Sequence, residues 1–191
     1  MLSIKRNKIQ DRNWISEKLS EEGYSITKGF DCGDNDLNEF FQKDALEHKK
    51  ELLTETYLLK MAIEENEKSI PVAFISFCND AIQLSKKKRG KILPSKKQYK
   101  YLPGVKIARL GVDKGLQRKN IGTLFINMAK QLFLMDNRTG CRFMTVDAYN
   151  IARVIEFYKK NDFQFLSSED SNKDTRIMYF DLKRLQIPHN Q

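Results

Sequence analysis

The stretch richest in potential chemistry runs from Ala108 to Thr123. Val105 to Asp113 reads as a buried strand, Lys114 and Gly115 as a turn, and the pattern turns helical near Asn120. Between strand and helix stand Gln117, Arg118, Lys119, Asn120, Ile121 and Gly122. The first N–H groups of a helix have no partners inside it, and aligned peptide dipoles put about half a positive charge at that end. Such a junction suits a phosphate or pyrophosphate. Gly122 leaves room for a ligand to approach the main chain, while Arg118 and Lys119 add charge. The same residues also describe an ordinary strand–turn–helix joint with basic side chains in water. Gly111, inside the strand, marks a bulge or a close approach of another group to the backbone.

A second cluster lies downstream. A strand centred on Phe143 to Val146 leads through Tyr149 and Asn150 into a short helix ending at Phe157, Tyr158, Lys159 and Lys160. Neighbouring helical residues do not share a face, so with Phe157 in the core, Tyr158 points elsewhere, into a cleft or into water. The chain has two histidines, one of them His189, and no cysteine–histidine or serine–histidine set for covalent catalysis. Its three cysteines, Cys32, Cys78 and Cys141, have no paired spacing, which rules out a disulfide scaffold and a cysteine zinc site. No metal is expected, and the cysteine usage fits a reducing cytoplasm.

The net charge is +9, and its placement is uneven. From Lys86 to Lys106 there are nine basic residues and no acidic one: Lys86, Lys87, Lys88, Arg89, Lys91, Lys96, Lys97, Lys100 and Lys106. The remaining 25 basic residues balance the 25 acidic ones, so the whole excess sits in this segment. A cluster of this kind attracts polyanions or simply forms a solvated loop. Lys86, Lys87, Lys88, Arg89, Lys96 and Lys97 are its candidate substrate contacts.

These clusters need elements to hold them. With 191 residues, 40% apolar and 31% charged, the chain is long enough for one domain with a real core. The longest apolar run, Val72 to Cys78, is far below the ~20 residues needed to cross a bilayer. The charged first ten residues lack a signal-peptide core, so no membrane partner is expected. Asp34 or Asp36 can cap a first helix whose buried face holds Leu37, Phe40, Phe41 and Ala45. Strands are expected over Thr54 to Ile63, Val72 to Cys78, Val105 to Asp113, Cys141 to Ala148, Phe163 to Leu166 and Thr175 to Leu182. Helices are expected from about Asn120 to Asp136, buried through Ile121, Leu124, Phe125, Met128 and Leu132, and over Ala152 to Lys160. This order implies an α/β chain of the α+β kind with a mixed sheet rather than a doubly wound parallel one. A single domain spans 1–191, with residues 1–24 as an N-terminal extension and 86–104 as a basic insertion loop.

Arg109-Leu110-Gly111-Val112-Asp113, the turn Gln117 to Gly122, and Asp147-Ala148-Tyr149-Asn150 leading to Phe157-Tyr158 resemble the GNAT superfamily of acyl-CoA N-acyltransferases. The family turn is Gln/Arg-x-x-Gly-x-Gly/Ala. Gln117, Gly122 and the spacing agree, while Asn120 replaces the first glycine; Asn is the side chain most tolerant of positive φ. The resemblance implies a mostly antiparallel, twisted sheet of six to seven strands with helices on both faces and splayed central strands. It implies acetyl-CoA as co-substrate, with main-chain groups around Leu110, Gly111 and Val112 pairing with the pantetheine arm. Gln117, Arg118, Lys119, Asn120, Ile121, Gly122 and Thr123 would hold the pyrophosphate, and Asn150 would contact the cofactor. Tyr158 would protonate the departing thiolate, and the acyl group would pass directly to a primary amine.

Phe30-Asp31-Cys32-Gly33, with Leu37, Ala45 and Ile107-Ala108-Arg109-Leu110, is similar to the toxin-type branch, whose members acetylate aminoacyl-tRNA. A basic segment suits a phosphate backbone. No glutamate lies on Val105 to Asp113, where this family often places a base, which leaves Asp113, Glu156 or water and favours an amine already partly neutral. Two other readings stay open: an RNA-binding module without catalysis, and a small-molecule or peptide acetyltransferase. A homodimer is a further expectation, through an edge strand at Thr175 to Leu182.

Overall fold

The computed structural model describes residues 14–63, 68–93, 99–135, 137 and 139–186. Seven strands form one sheet: β1 (Trp14–Lys18), β2 (Glu55–Ile63), β3 (Lys68–Ile82), β4 (Leu102–Val112), β5 (Phe143–Tyr149), β6 (Gln164–Phe165) and β7 (Thr175–Asp181). They hydrogen-bond in the order β1-β2-β3-β4-β5-β7-β6. The pair β4–β5 is parallel, from Gly104↔Phe143 to Ile107↔Val146, and β1–β2, β2–β3, β5–β7 and β6–β7 are antiparallel. The mixed, mostly antiparallel sheet expected from sequence is present.

By internal contacts the chain divides into two compact units, Met1–Cys78 with Ala108–Ile126, and Asn79–Ile107 with Asn127–Gln191. In the first unit, the Asp34 carboxylate accepts from Leu37 N at 3.1 Å and caps α1 (Asn35–Glu39). A π-turn over Phe40–Asp44 joins it to α2 (Ala45–Lys50), with Ala45 N bonded to Phe40 O. The wider turn lets Phe40, Phe41 and Ala45 all face the core, with Leu37 partly buried against it. Phe41 stacks on Phe74 at 4.3 Å, and Phe30 meets both rings edge-on. Pro71, which has no N–H for a ladder, sits at the bulge where β2–β3 pairing skips a residue.

The second unit holds a core cluster of Ile82, Leu84, Leu102 and Phe143. Arg142 grips Asp181 through two hydrogen bonds of 3.1 and 3.0 Å and donates to Ile92 O. Bidentate pairs of this kind fix orientation as well as charge.

Four expectations change. Trp14–Lys18, inside the N-terminal extension, is an edge strand paired with Tyr57 to Met61; five residues are too few for alternation to announce it. The basic segment begins as α3 (Lys86–Ile92), capped by Ser85, and its end from Leu102 belongs to β4. Thr175–Asp181 is not an edge: β5 lies on one side, and the other is covered by β6 and by Asp170, which accepts from Ile177 N. The buried side of α4 (Ile121–Met135) is Ile121, Phe125, Ile126, Ala129 and Lys130; Leu124, Met128 and Leu132 are only half-buried.

Candidate active site

The expected anion loop lies in the first unit. β4 ends where Asp113 N donates to Val72 O at 2.9 Å. The Asp113 carboxylate then accepts from Gly115 N at 2.9 Å and closes a 3-10 turn over Lys114–Leu116. That carboxylate is therefore engaged in capping. Gln117 follows, and its side-chain amide donates to Cys32 O at 2.7 Å and Val112 O at 3.0 Å. Gln117 thus acts first as a clamp, gathering the loop against β4 and the Phe30–Gly33 segment.

Beyond the clamp, Arg118 (φ 59°) and Asn120 (φ 61°) both adopt the left-handed conformation. Asn120 behaves as its residue type allows. For Arg118 the same geometry costs about 1–2 kcal/mol, and such backbone strain concentrates at functional sites. Arg118, Lys119 and Asn120 are exposed, and the Lys119 ammonium donates to Gly115 O at 3.0 Å. Buried Ile121 starts the helix, Gly122 and Thr123 are half-buried in its first turn, and Leu124 N is bonded to Asn120 O. Amides of the first turn with two cations beside them fit an anionic diphosphate.

At Gly111 the expected close approach to the backbone is present. A Cβ there would lie 2.5 Å from Phe74 Cε1 and 3.3 Å from Phe30 Cζ. The close approach is made by the protein's own aromatic core. Leu110 and Val112, on either side, are half-buried.

The Phe30–Gly33 segment buttresses the loop, a role its residue types did not reveal. Asp31 Oδ1 accepts from Gly33 N (2.8 Å) and Asn38 Nδ2 (2.9 Å), and its Oδ2 pairs with Lys114 Nζ at 2.6 Å. Lys114 N donates to Asp31 O, and Cys32 N donates to Asn38 Oδ1. Lys114 first, then the Gly33 amide and Asn38, hold the Asp31 carboxyl down at about 2. The one available signal was the Asp31-Cys32-Gly33 turn placed just before a helix cap.

The second unit holds the other candidates. Tyr158 on α5 (Ala152–Lys160) is buried, while Phe157 is half-buried, so the condition of a core Phe157 is not met. The Tyr158 ring lies edge-on to Phe157 and Phe163, at 5.1 and 5.3 Å. Burial pushes its phenol well above the usual range. At the end of α5, Asn161 N bonds to Phe157 O and Tyr158 O, and the Asn161 side chain donates to Phe157 O. Lys130, buried on α4, donates to Asn161 O at 2.8 Å and lies 4.0 Å from the centre of the Phe180 ring. Burial lowers its pKa. An apolar periodicity search passes over such a lysine.

Asn150 donates through its side-chain amide to Ser171 O and Lys173 O, at 3.0 and 2.9 Å, and so organises the turn before β7. Glu156 is exposed. In α3, Lys86 and Lys87 face water. Lys88 donates to Leu166 O at 3.3 Å, and Arg89 donates to Tyr99 O and Lys100 O. Lys96 and Lys97 lie outside the described residues. Among the described residues, no group of three or more His, Cys, Asp and Glu is placed to hold a metal, and no helix is long and apolar enough to cross a membrane.

No family model matches the chain. Solved structures match it over most of their length. A tyrosine-to-phenylalanine variant of KacT has a TM-score of 0.74 at 18% identity, covering 90% of this chain and 96% of that one. AtaT complexed with acetyl-methionyl-tRNAfMet has a TM-score of 0.73 at 22% identity, with coverage of 90% and 96%. AtaTR bound with AcCoA has a TM-score of 0.71 at 22% identity, with coverage of 90% and 95%. The chain therefore shares the fold of KacT and AtaT.

Proposed function

We propose that this protein is an acetyl-CoA-dependent N-acetyltransferase that passes the acetyl group directly to a primary amine. The observation that carries the reading is the clamped loop: Gln117 fixes a turn, strained at Arg118 and built on Asn120, that opens a helix with cations beside it. The coenzyme diphosphate is the anion it suits, and the AtaTR structure with AcCoA supports that choice. Leu110, Gly111 and Val112 would offer main-chain groups to the pantetheine arm, as in the resembling family.

Acetyl-CoA supplies an activated acyl group as a thioester. The neutral amine attacks the carbonyl carbon, the C–N bond forms and the C–S bond breaks. The amine proton leaves to solvent, and the coenzyme thiolate takes a proton from Tyr158, which regains one from solvent before the next turnover. Burial keeps the Tyr158 phenol neutral, so it is a hydrogen-bond donor toward the sulfur as negative charge develops there. With the Asp113 carboxylate engaged and Glu156 in water, an α-amine of pKa ~8 is a better acceptor than a lysine amine.

Aminoacyl-tRNA is the acceptor we favour. It carries such an α-amine, its phosphates suit the basic segment around α3, and AtaT is seen with acetyl-methionyl-tRNA. The test is a panel of amines, with and without charged tRNA, assayed for release of free CoA. Turnover only with charged tRNA supports this acceptor. Turnover with small amines alone returns the protein to small-molecule acetylation. Absence of acetyl-CoA binding at millimolar concentration removes the enzymatic reading and leaves an RNA-binding module.

A further inference from the structure

We propose that α3 together with Tyr99 and Tyr101 forms a docking surface for an unpaired RNA segment, with the two phenol rings as stacking platforms. Tyr99 is 63% and Tyr101 57% exposed, a large apolar area to leave in water beside a lysine-rich helix. Among the described residues, Lys86, Lys87 and Lys91 make no ion pair, so their charge is available to phosphates. The tyrosines are held in place by Arg89, whose guanidinium donates to the carbonyls of Tyr99 at 3.2 Å and Lys100 at 3.4 Å. Arg89 is thus a structural tie between helix and tyrosines.

Charge complementarity selects a polyanion, and the exposed rings narrow its form. Duplexes hide their base faces in the stack, whereas single strands offer them to aromatic side chains. Lys100 Nζ, 5.3 Å from the Tyr101 ring centre, adds a cation at the same place. The inference deepens the acyltransferase reading, and rests on it for the idea that the bound RNA brings the acceptor amine. Its test reads binding alone.

Anisotropy of a short labelled single-stranded RNA, and of the same strand annealed to its complement, is followed across a salt series with the full chain. Replacing both rings (Tyr99→Leu with Tyr101→Leu) weakens single-strand binding by about tenfold or more per ring, and leaves duplex binding and the salt slope unchanged. Tyr→Trp at both positions keeps or strengthens it. Lys86→Gln, Lys87→Gln and Lys91→Gln together flatten the salt slope for both RNAs, by about 0.7–0.9 per lost phosphate contact. Wild-type preference for the duplex, or unchanged single-strand binding in the Tyr→Leu pair, overturns the proposal. Acetyl-CoA turnover, measured separately, decides the enzymatic reading whichever way the binding falls.

Discussion

The side-chain amide of Gln117 sits 2.7 Å from the carbonyl oxygen of Cys32, eighty-five positions earlier in the chain. That bond, with the one to Val112 O, ties the N-terminal Phe30–Gly33 turn to the loop that opens α4. Gln117→Leu removes the donor from one part-buried and one exposed carbonyl and costs about 0.5–1.5 kcal/mol of loop order. The expected result is a rise in Kd for acetyl-CoA of roughly tenfold, with kcat little changed. Calorimetric titration measures it, and unchanged affinity would remove the clamp from coenzyme binding.

Tyr158→Phe keeps the ring between Phe157 and Phe163 and deletes the proton. A roughly 100-fold loss of kcat is expected, with coenzyme affinity and thermal stability retained. Because burial raises the Tyr158 pKa, the wild-type rate shows no descending limb from this phenol up to pH ~10. A limb near pH 8 that vanishes in the Phe variant would contradict this placement.

Gly111→Ala drives a methyl group to 2.5 Å from Phe74 Cε1. Overpacking of this kind costs about 1–3 kcal/mol. A shorter side chain at Phe74, as in Phe74→Leu, should recover part of that loss in the double variant. Simple additivity in denaturant melts would show that the two positions do not meet.

Asp31 provides a pH test. Its carboxyl is held at about 2 in the folded chain, chiefly by Lys114, so ionised Asp31 stabilises the fold above its unfolded pKa near ~4. That contribution is lost as pH falls from ~4 through about 2. Asp31→Asn should lack this part of the acid transition, and identical acid melts for both proteins would refute it.

Lys130 fixes the end of the Tyr158 helix by donating to Asn161 O. Lys130→Met removes that donor and leaves a carbonyl at a buried helix end, costing about 1–3 kcal/mol. If the bond also sets Tyr158, kcat falls beyond what the lost stability explains while KM holds. Lys130→Arg, which can still donate, should restore part of it.

Much of this arrangement is written plainly in the residues. The helix at Ala152–Lys160, the strands around Tyr57, Phe74, Ile107 and Val146, and the loop at Gln117 to Gly122 follow from periodicity and turn chemistry. Asn120 stands where positive φ was expected. What escaped the sequence depends on partners distant in the chain. That Phe74 is the group Gly111 makes room for cannot be read from the local sequence. The carbonyls that the Gln117 side chain holds, one of them 85 positions away, cannot be read from the turn pattern. Lys130 breaks the apolar stripe of α4 because its partner is a carbonyl on another helix. That Tyr158 is the more buried of the pair is not legible, because adjacency limits it and Phe157 to different faces without saying which is inner. The π-turn has no signature in residue type.

That π-turn also governs how chain length varies here. Between the Asp34 cap and Lys50 the chain spends one residue more than a regular helix would use. Removing one residue within Phe40–Asp44 would restore ordinary helical bonding while keeping both flanking turns in phase. Only the local fan of aromatic rings would change, so single-residue length differences among descendants of this sequence would be absorbed at this spot, with Phe40 or Phe41 giving up its seat in the interior.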